Sequence, residues 1–102
     1  MRRVMVRYRV KPDQVPANEQ LVRDVYEELS RVRPDGFRYG TFKLDDGVTF
    51  VHLALQETDE SPLGRVEAFQ RFQSDIGSRC DEPPVVTLLE EVGSYRFDAV
   101  LQ

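Results

Sequence analysis

Residues 37–56 read FRYGTFKLDDGVTFVHLALQ, and this stretch decides the fold. On either side of Asp45-Asp46-Gly47, side chains that favour burial occupy alternate positions, and many of them are β-branched or aromatic, as is typical of strands. Asp-Gly between two such runs is a strong signal for a hairpin. The stretch therefore predicts two antiparallel strands, at about residues 37–44 and 48–56, joined by a tight turn.

The register of this hairpin determines which side chains share a face. If Asp46-Gly47 is a two-residue turn, Asp45 pairs with Val48 and Thr41 lies opposite His52. One face is then mostly aliphatic, as expected of a core packed against helices, and carries Phe42, Leu44, Val51, Leu53 and Leu55. The other face is mixed and rich in aromatic residues, and carries Phe37, Tyr39, Thr41, Lys43, Phe50, His52 and Ala54. A three-residue turn would shift the pairing by one residue and turn one strand over.

Two further runs alternate as strands do. In residues 4–10, apolar side chains occupy every second position and arginines lie between them. Residues 85–97 are rich in β-branched and aromatic side chains, and Gly93 suggests a bend within that run. The acidic and proline-rich residues 81–84 before it are expected to form a turn.

Two stretches have apolar residues at helical spacing. The first has its apolar stripe at residues 21–32, and we expect the helix to begin between Asp13 and Asn18, since either residue can cap it. The second is shorter, with Ser61-Pro62 as a start signal and Gly77 near its end. The order β-α-β-β-α-β predicts one α+β domain over residues 1–102. Its fold is expected to be ferredoxin-like, a four-stranded antiparallel sheet with both helices on one face.

The mixed face of the hairpin predicts an assembly. Two helices cover one face of such a sheet, and an open face carrying Phe37, Tyr39, Phe50 and His52 would be a larger apolar patch than monomers usually expose. A second copy is the simplest cover, and symmetric dimers are the most common assembly. The sequence therefore predicts a homodimer whose two sheets face each other as a dimeric α+β barrel.

Composition limits the classes of partner. The chain has 102 residues, 18 acidic against 14 basic, with a formal charge of −4. This balance argues against nucleic acid and against an anionic membrane surface, both of which favour basic proteins. No apolar run approaches the ~20 residues of a membrane span, and no secretory signal is recognisable. With one cysteine, Cys80, expected to be an inert thiol, the sequence predicts a cytoplasmic protein.

His52 is the residue whose ordinary pKa lies nearest neutrality. Beside Tyr39, Thr41 and Phe50 in an apolar cleft, its imidazole could take a proton from a phenolic substrate, so that the resulting anion reacts with dioxygen. The alternative is a histidine that is hydrogen-bonded within the dimer interface.

Arg7 and Arg9 project from one face of the first strand. If that face lines the same cleft, together with Phe37, the guanidinium groups could hold a carboxylate or an enolate. The alternative is a solvated strand face, or ion pairs with Glu90 or Glu91. One histidine and scattered carboxylates predict no metal site, and no motif predicts a cofactor.

Residues 6–12 read VRYRVKP, a helix follows to Val32, Pro34-Asp35-Gly36 precedes the second strand, and Phe50-Val51 lies in the third. In these features the chain resembles the antibiotic-biosynthesis-monooxygenase-like domains of the dimeric α+β-barrel superfamily. The likeness spans roughly residues 4–97. The resemblance implies a fold shared with cofactor-free oxygenases of aromatic polyketides and with haem-degrading relatives.

The chain departs from that family at two places. Typical members carry a tryptophan near the end of the third strand, where this chain has Gln56-Glu57-Thr58, and histidines on the second helix, where it has Phe69 and Phe72. We therefore carry over no catalytic residue. Two functions remain: a cofactor-independent, monooxygenase-like reaction on a small aromatic substrate, or a non-catalytic module that binds a small ligand or another protein. An open pocket with His52 and Tyr39 in its wall would favour the first.

Overall fold

A computed structural model of the chain describes residues 1–97. The strands of this region are β1 (Arg2–Val10), β2 (Phe37–Lys43), β3 (Thr49–Gln56) and β4 (Cys80–Leu88). The helices are α1 (Val15–Val32), α2 (Glu67–Ser74) and the single turn α3 (Ile76–Arg79), with 3₁₀ turns at Pro12–Gln14 and Pro62–Arg65. The predicted domain limits of 1–102 extend to residues outside the described part.

The four strands form one sheet in the order β2-β3-β1-β4, and every neighbouring pair is antiparallel. Side chains of α1 and α2 join one core with side chains of β1 and β3, so both helices pack on the same face of the sheet. The predicted α+β, ferredoxin-like fold is confirmed. Within residues 1–97, no helix is long and apolar enough to cross a membrane.

The hairpin keeps the predicted register around a longer turn. Thr41 lies opposite His52, as expected. The turn is not the expected two residues, because the Leu44 amide donates to the Thr49 carbonyl at 2.8 Å and leaves residues 45–48 as the loop. The loop is longer than predicted by one residue on each side, so the strands pair in the predicted register. The Asp46 carboxylate accepts both the Thr49 amide and the Thr49 hydroxyl, and Gly47 supplies the positive φ of 78°.

The two faces of the hairpin are the reverse of those expected. Phe50 and His52 lie beneath the helices, 3% and 4% exposed, and Phe50 shares a core with Val25 of α1 and Phe72 of α2. Phe42, which was expected in the helix-packed core, is 57% exposed on the opposite face. The prediction that the His52 face is open was therefore wrong.

Strand β1 explains this reversal. It pairs with β3 so that Tyr8 lies opposite Phe50 and Arg7 lies opposite Val51. The aliphatic face of β3 therefore continues into the arginine face of β1. Burying guanidinium groups under helices without paired anions costs much more free energy than burying tyrosine and phenylalanine rings. The helices consequently cover the aromatic face, which continues into the apolar side of β1.

The last strand begins earlier and ends earlier than expected. Residues 81–84, expected to be a turn, belong to β4, and residues 89–97 lie outside any strand. Prolines are tolerated in β4 because it is an edge strand whose pairing with β1 is irregular after Arg7. Beyond β4 the chain stays beside β1: the Leu89 amide donates to the Arg3 carbonyl at 2.9 Å, and Glu91 lies 3.5 Å from the Arg3 guanidinium.

The second helical region is divided into shorter pieces. Ser61 caps as predicted, since its hydroxyl accepts the Leu63 amide at 3.2 Å, but the helical turn that follows is 3₁₀. The first amides of α2 have no local cap. Instead, the Glu28 carboxylate of α1 accepts the amides of Glu67 and Ala68 at 3.1 and 2.9 Å. A side chain of one helix therefore caps the other, and these hydrogen bonds lower the Glu28 pKa.

Candidate functional site

A cavity of about 410 Å³ lies between the sheet and the segment that contains α2 and α3. Its apolar wall is formed by Val4, Val6, Phe69, Phe72, Ile76 and Val86. Polar side chains lie in two separate parts of the lining. One group comes from the strand ends and the loop before α2, and includes Arg2, Gln56, Asp59 and Ser61; the other is Tyr8, Tyr39 and His52. The cavity is of the size and character typical of small-molecule sites.

His52 is hydrogen-bonded through both ring nitrogens. Its Nε2 lies 2.8 Å from the Tyr8 hydroxyl, and its Nδ1 lies 2.7 Å from the Tyr39 hydroxyl and 3.1 Å from Thr41 Oγ1. Burial lowers the pKa of His52 from 6.5 to about 4, because the charged imidazolium is desolvated there. The imidazole is therefore neutral at physiological pH.

The hydrogen bonds continue on both sides of the imidazole. The Asn18 amide of α1 donates to the Tyr8 hydroxyl at 3.1 Å, and the Arg79 Nε donates to Asn18 Oδ1 at 3.2 Å. On the other side, Thr41 Oγ1 lies 2.7 Å from the Tyr26 hydroxyl. Side chains from α1, α3 and three strands thus form one polar network inside an otherwise apolar core.

The tyrosines of this network retain their protons. Burial raises the pKa of Tyr8 and of Tyr39 well above the ordinary value of a phenol, and it raises the pKa of Tyr26 as well. Their hydroxyls therefore act as neutral donors and acceptors rather than as bases. Within this network, the imidazole of His52 is therefore the group that can accept a proton.

Most of the side chains predicted for the site lie together. Tyr39 and His52 line the cavity, and Thr41 bonds to the imidazole. Phe50 supports the site from behind, since its ring stacks on Tyr8 at 5.5 Å, and Phe37 stacks on Tyr39 at the same distance. The site forms on the helix-covered face and not on the open face where it was expected.

Arg7 and Arg9 do not belong to this group. Both lie on the opposite face of β1, and Arg9 pairs with Glu82 at 3.4 Å. The alternative of a strand face with surface ion pairs describes them better, although their partners were expected to be Glu90 or Glu91. No cluster of three metal-binding side chains occurs among residues 1–97, and burial raises the pKa of the Cys80 thiol.

Sequence reasoning missed Tyr8, Asn18, Tyr26 and Arg79 as site residues. Tyr8 could have been found, because it alternates with the arginines of β1 and therefore faces the core. Asn18 and Arg79 had no such signal. They meet through a contact between residues 61 positions apart in the chain, which no local pattern predicts.

Comparison with known proteins supports the fold. No protein-family model and no curated protein sequence matches the chain. The solved structure of a candidate antibiotic biosynthesis monooxygenase from Nitrosomonas europaea superposes with a TM-score of 0.73 at 18% identity, covering 91% of this chain and 100% of that one.

Two other solved structures agree. Rv0793 from Mycobacterium tuberculosis gives a TM-score of 0.67 at 22% identity, over 91% of this chain and 96% of that one. A conserved protein from Methanosarcina mazei Go1 gives 0.72 at 17% identity, over 88% and 91%. The resemblance found in the sequence is confirmed at the level of structure: the chain has the α+β fold of solved antibiotic-biosynthesis-monooxygenase-like proteins.

Proposed function

We propose that the chain binds a small aromatic compound in the cavity and acts on it as a cofactor-independent, monooxygenase-like enzyme. The observation that carries this proposal is the apolar cavity of about 410 Å³ with His52, Tyr8 and Tyr39 in its wall. A dry apolar cavity of ~150 Å³ holds a benzene ring, so this one is large enough for two or three fused rings.

The reaction that fits these groups begins with loss of a proton from an activated C–H or O–H of the substrate. The resulting anion is electron-rich and is oxidised by dioxygen. One oxygen atom becomes a carbonyl on a substrate carbon, and the other leaves as water with two hydrogens from the substrate. Both hydrogens come from that carbon when it is a CH2 group; in a phenol, one comes from the ring carbon and one from the hydroxyl. The protein would orient the ring, exclude water and move the proton through His52.

The second candidate is a ligand-binding module without catalysis, and two observations favour it. Both imidazole nitrogens already have hydrogen-bond partners. The lowered pKa of about 4 also makes His52 a weak proton acceptor at neutral pH. Binding without turnover would agree with both observations, so the two candidates must be separated by experiment.

Oxygen uptake separates them. A hydroxynaphthalene and a hydroxyanthrone serve as probes, with binding followed by calorimetry and turnover by an oxygen electrode. We expect uptake with at least one probe, and a loss of about a hundredfold in His52→Asn, the upper range for a proton-transfer residue being ~10⁴. Phe42→Leu on the opposite face is the matched control and should retain full activity. Binding without uptake would establish the ligand-binding alternative, and full activity in His52→Asn would exclude the mechanism.

We also propose a homodimer through the sheet face that points away from the helices, here called the open face. Phe42 and Val85 on this face are 57% and 62% exposed. Val51 and Arg7 lie between them across the sheet, and Leu53 and Met5 lie in the next row on the same face. When large apolar side chains cluster on a surface in this way, the surface is more often a protein–protein interface than a surface that stays in solvent. The interface is therefore the face opposite to the one expected from the sequence, and His52 is not part of it.

Sedimentation at micromolar concentration tests the dimer. The wild-type chain should sediment at twice its mass of 11.8 kDa. Phe42→Glu should give a folded monomer, because it buries an unpaired charge in the interface. Val32→Glu, which changes an exposed apolar residue at the end of α1, should remain dimeric. A wild-type monomer would exclude the proposal.

The cytoplasmic location stays a prediction, and cell fractionation tests it.

A further inference from the structure

We infer that Arg79 and Asn18, acting through Tyr8, hold His52 in the tautomer that carries its hydrogen on Nδ1, so that the site favours a ligand oxygen that accepts a hydrogen bond. The inference about the His52 tautomer concerns the protein alone. The inference about the ligand rests on the proposed function, because it specifies the ligand class of the same cavity.

The direction of the hydrogen bonds is set by Arg79. A guanidinium group can only donate. Arg79 is 5% exposed, and it gives Nε–H to Asn18 Oδ1 at 3.2 Å and Nη2–H to the Phe72 carbonyl at 2.8 Å. The amide oxygen of Asn18 must therefore point to Arg79. Its nitrogen must then point to Tyr8, where it donates to the hydroxyl oxygen at 3.1 Å.

Tyr8 passes this direction on to the imidazole. Its oxygen accepts from Asn18, so its own proton needs an acceptor, and His52 Nε2 lies within reach at 2.8 Å. If Nε2 carried the hydrogen instead, two donors would converge on the Tyr8 oxygen. The phenolic proton of Tyr8, which is 1% exposed, would then have no protein acceptor among residues 1–97. A buried donor without a partner is disfavoured. Nε2 is therefore the acceptor, and the ring hydrogen lies on Nδ1.

The Nδ1–H then determines what the cavity offers to a ligand. It points to the Tyr39 oxygen at 2.7 Å, with Thr41 Oγ1 as a second acceptor at 3.1 Å. Because the Tyr39 oxygen accepts from the ring, its own proton is directed away from His52. In the free protein that proton can go to Thr41. In the complex it can be donated to an oxygen in the cavity, since Tyr39 lines it.

The preferred ligand is therefore an aromatic compound with a carbonyl or phenolate oxygen. An oxygen that gains negative charge during a reaction would be stabilised further, because Tyr39 donates to the position where the charge develops. Asn18 and Arg79 act as positioning residues. They lie behind Tyr8, and their effect on the ligand passes through the protons of Tyr8, His52 and Tyr39.

Nitrogen NMR of the imidazole tests the tautomer. His52 is the only histidine, so long-range ¹H–¹⁵N spectra of the labelled chain show a single ring. At neutral pH we expect the Nδ1–H form to exceed the Nε2–H form by more than about tenfold, as the loss of one buried hydrogen bond implies. A mixture near equality, or an excess of Nε2–H, would overturn the inference.

Asn18→Asp should reverse the tautomer. The introduced carboxylate only accepts, so Tyr8 turns its proton towards it and its oxygen accepts from Nε2–H instead. Gln20→Glu, the same chemical change on the exposed side of α1, should leave the wild-type ratio intact. Tyr8→Phe is the second variant if Asn18→Asp does not fold, and it should bring the ratio towards equality. An unchanged ratio in a folded variant at position 8 or 18 would also overturn the inference.

Ligand preference is tested separately. Wild-type protein should bind 1-tetralone, a ring ketone that only accepts, about tenfold more tightly than the parent hydrocarbon tetralin, as expected for one buried hydrogen bond. Tyr39→Phe should remove that difference. Equal binding of the two probes to the wild type would overturn the inferred preference for a ligand oxygen that accepts a hydrogen bond. If neither probe nor the hydroxylated aromatics bind, the proposed function fails, while the tautomer result stands or falls by its own spectra.

Discussion

Both faces of the sheet carry large apolar side chains, but the two faces have different surroundings. The helix-covered face has Tyr8, Phe50 and His52, and its polar atoms are joined by hydrogen bonds. The open face has Phe42 and Val51, with arginines of β1 beside them. The neighbouring strand β1 therefore decides which face of the hairpin is covered. An aromatic face whose hydroxyls are hydrogen-bonded within the protein can be covered by the apolar sides of the chain's own helices, whereas the aliphatic face that continues into guanidinium groups is not covered by them.

Matched truncations in the hairpin test this difference with the largest expected effect. Phe50→Ala removes a ring from the core and should lower the free energy of unfolding by about 3–5 kcal/mol. Phe42→Ala removes the same ring from the open face and should cost less than about 1 kcal/mol at concentrations where the chain is monomeric. Urea denaturation measures both. Similar losses for the two variants would mean that the assignment of the faces is wrong.

Acid should destabilise the helix-covered face through His52. The folded pKa of about 4 lies below the unfolded value of 6.5, so the unfolded chain binds the proton first as the pH falls. The contribution is fully present above pH ~6.5 and is lost progressively down to pH ~4, by about 3 kcal/mol in total. Urea denaturation at a series of pH values measures this.

The matched control for that series is His52→Asn, which should lack the decline between pH ~6.5 and ~5, because it removes the titrating group. Carboxylates with a lowered pKa, such as Glu28, still contribute to the decline at lower pH. The direct readout is the His52 ¹H shift, which should titrate near pH 4. Titration near pH ~6.5 would show a solvated imidazole and would contradict the buried network.

The contact between α1 and α2 should have a smaller effect. Glu28→Gln keeps the shape of the side chain but weakens the two hydrogen bonds to the first amides of α2, so we expect the melting midpoint to fall by a few degrees. Glu27→Gln, the same change at the preceding position, should leave the midpoint almost unaltered. Thermal unfolding followed by circular dichroism makes the comparison, and equal shifts would remove the role of Glu28 as a cap.

Arg9→Ala should have the smallest effect. Its ion pair with Glu82 is partly solvated, and such pairs contribute less than about 1 kcal/mol. The variant should also bind cavity ligands as the wild type does, because Arg9 lies on the opposite face of the sheet from His52. Calorimetry with 1-tetralone checks this. A loss of affinity would indicate that Arg9 contributes to the ligand pocket, as the sequence predicted.

Local patterns were sufficient for the order of the elements and for the hairpin register, but not for the bounds of β4 or for the division of the second helical region. Asp46-Gly47 between alternating runs gave the correct pairing of Thr41 with His52, even though the turn is longer than expected. The faces could not be assigned from the hairpin alone, because both of its sides are apolar. They would have followed from pairing β1 with β3, where Arg7 meets Val51 and Tyr8 meets Phe50.

The site was also partly predictable from local patterns. His52, Tyr39 and Thr41 lie on one side of neighbouring strands, so period-two spacing brought them together. Asn18 and Arg79 belong to helices that reach the sheet only through tertiary packing, and an asparagine or an arginine in a helix is usually solvated. Their burial depends on hydrogen bonds to each other and to Tyr8, and no single segment of sequence shows that.

The most direct measurement is an NMR titration of the chain with 1-tetralone. If the helix-covered cavity is the binding site, the His52 imidazole nitrogens and the Tyr39 ring signals should move together with increasing ligand, and the Phe42 ring on the open face should not move. Ligand-induced shifts at Phe42 without any at His52 would place the binding site on the open face and contradict the proposal.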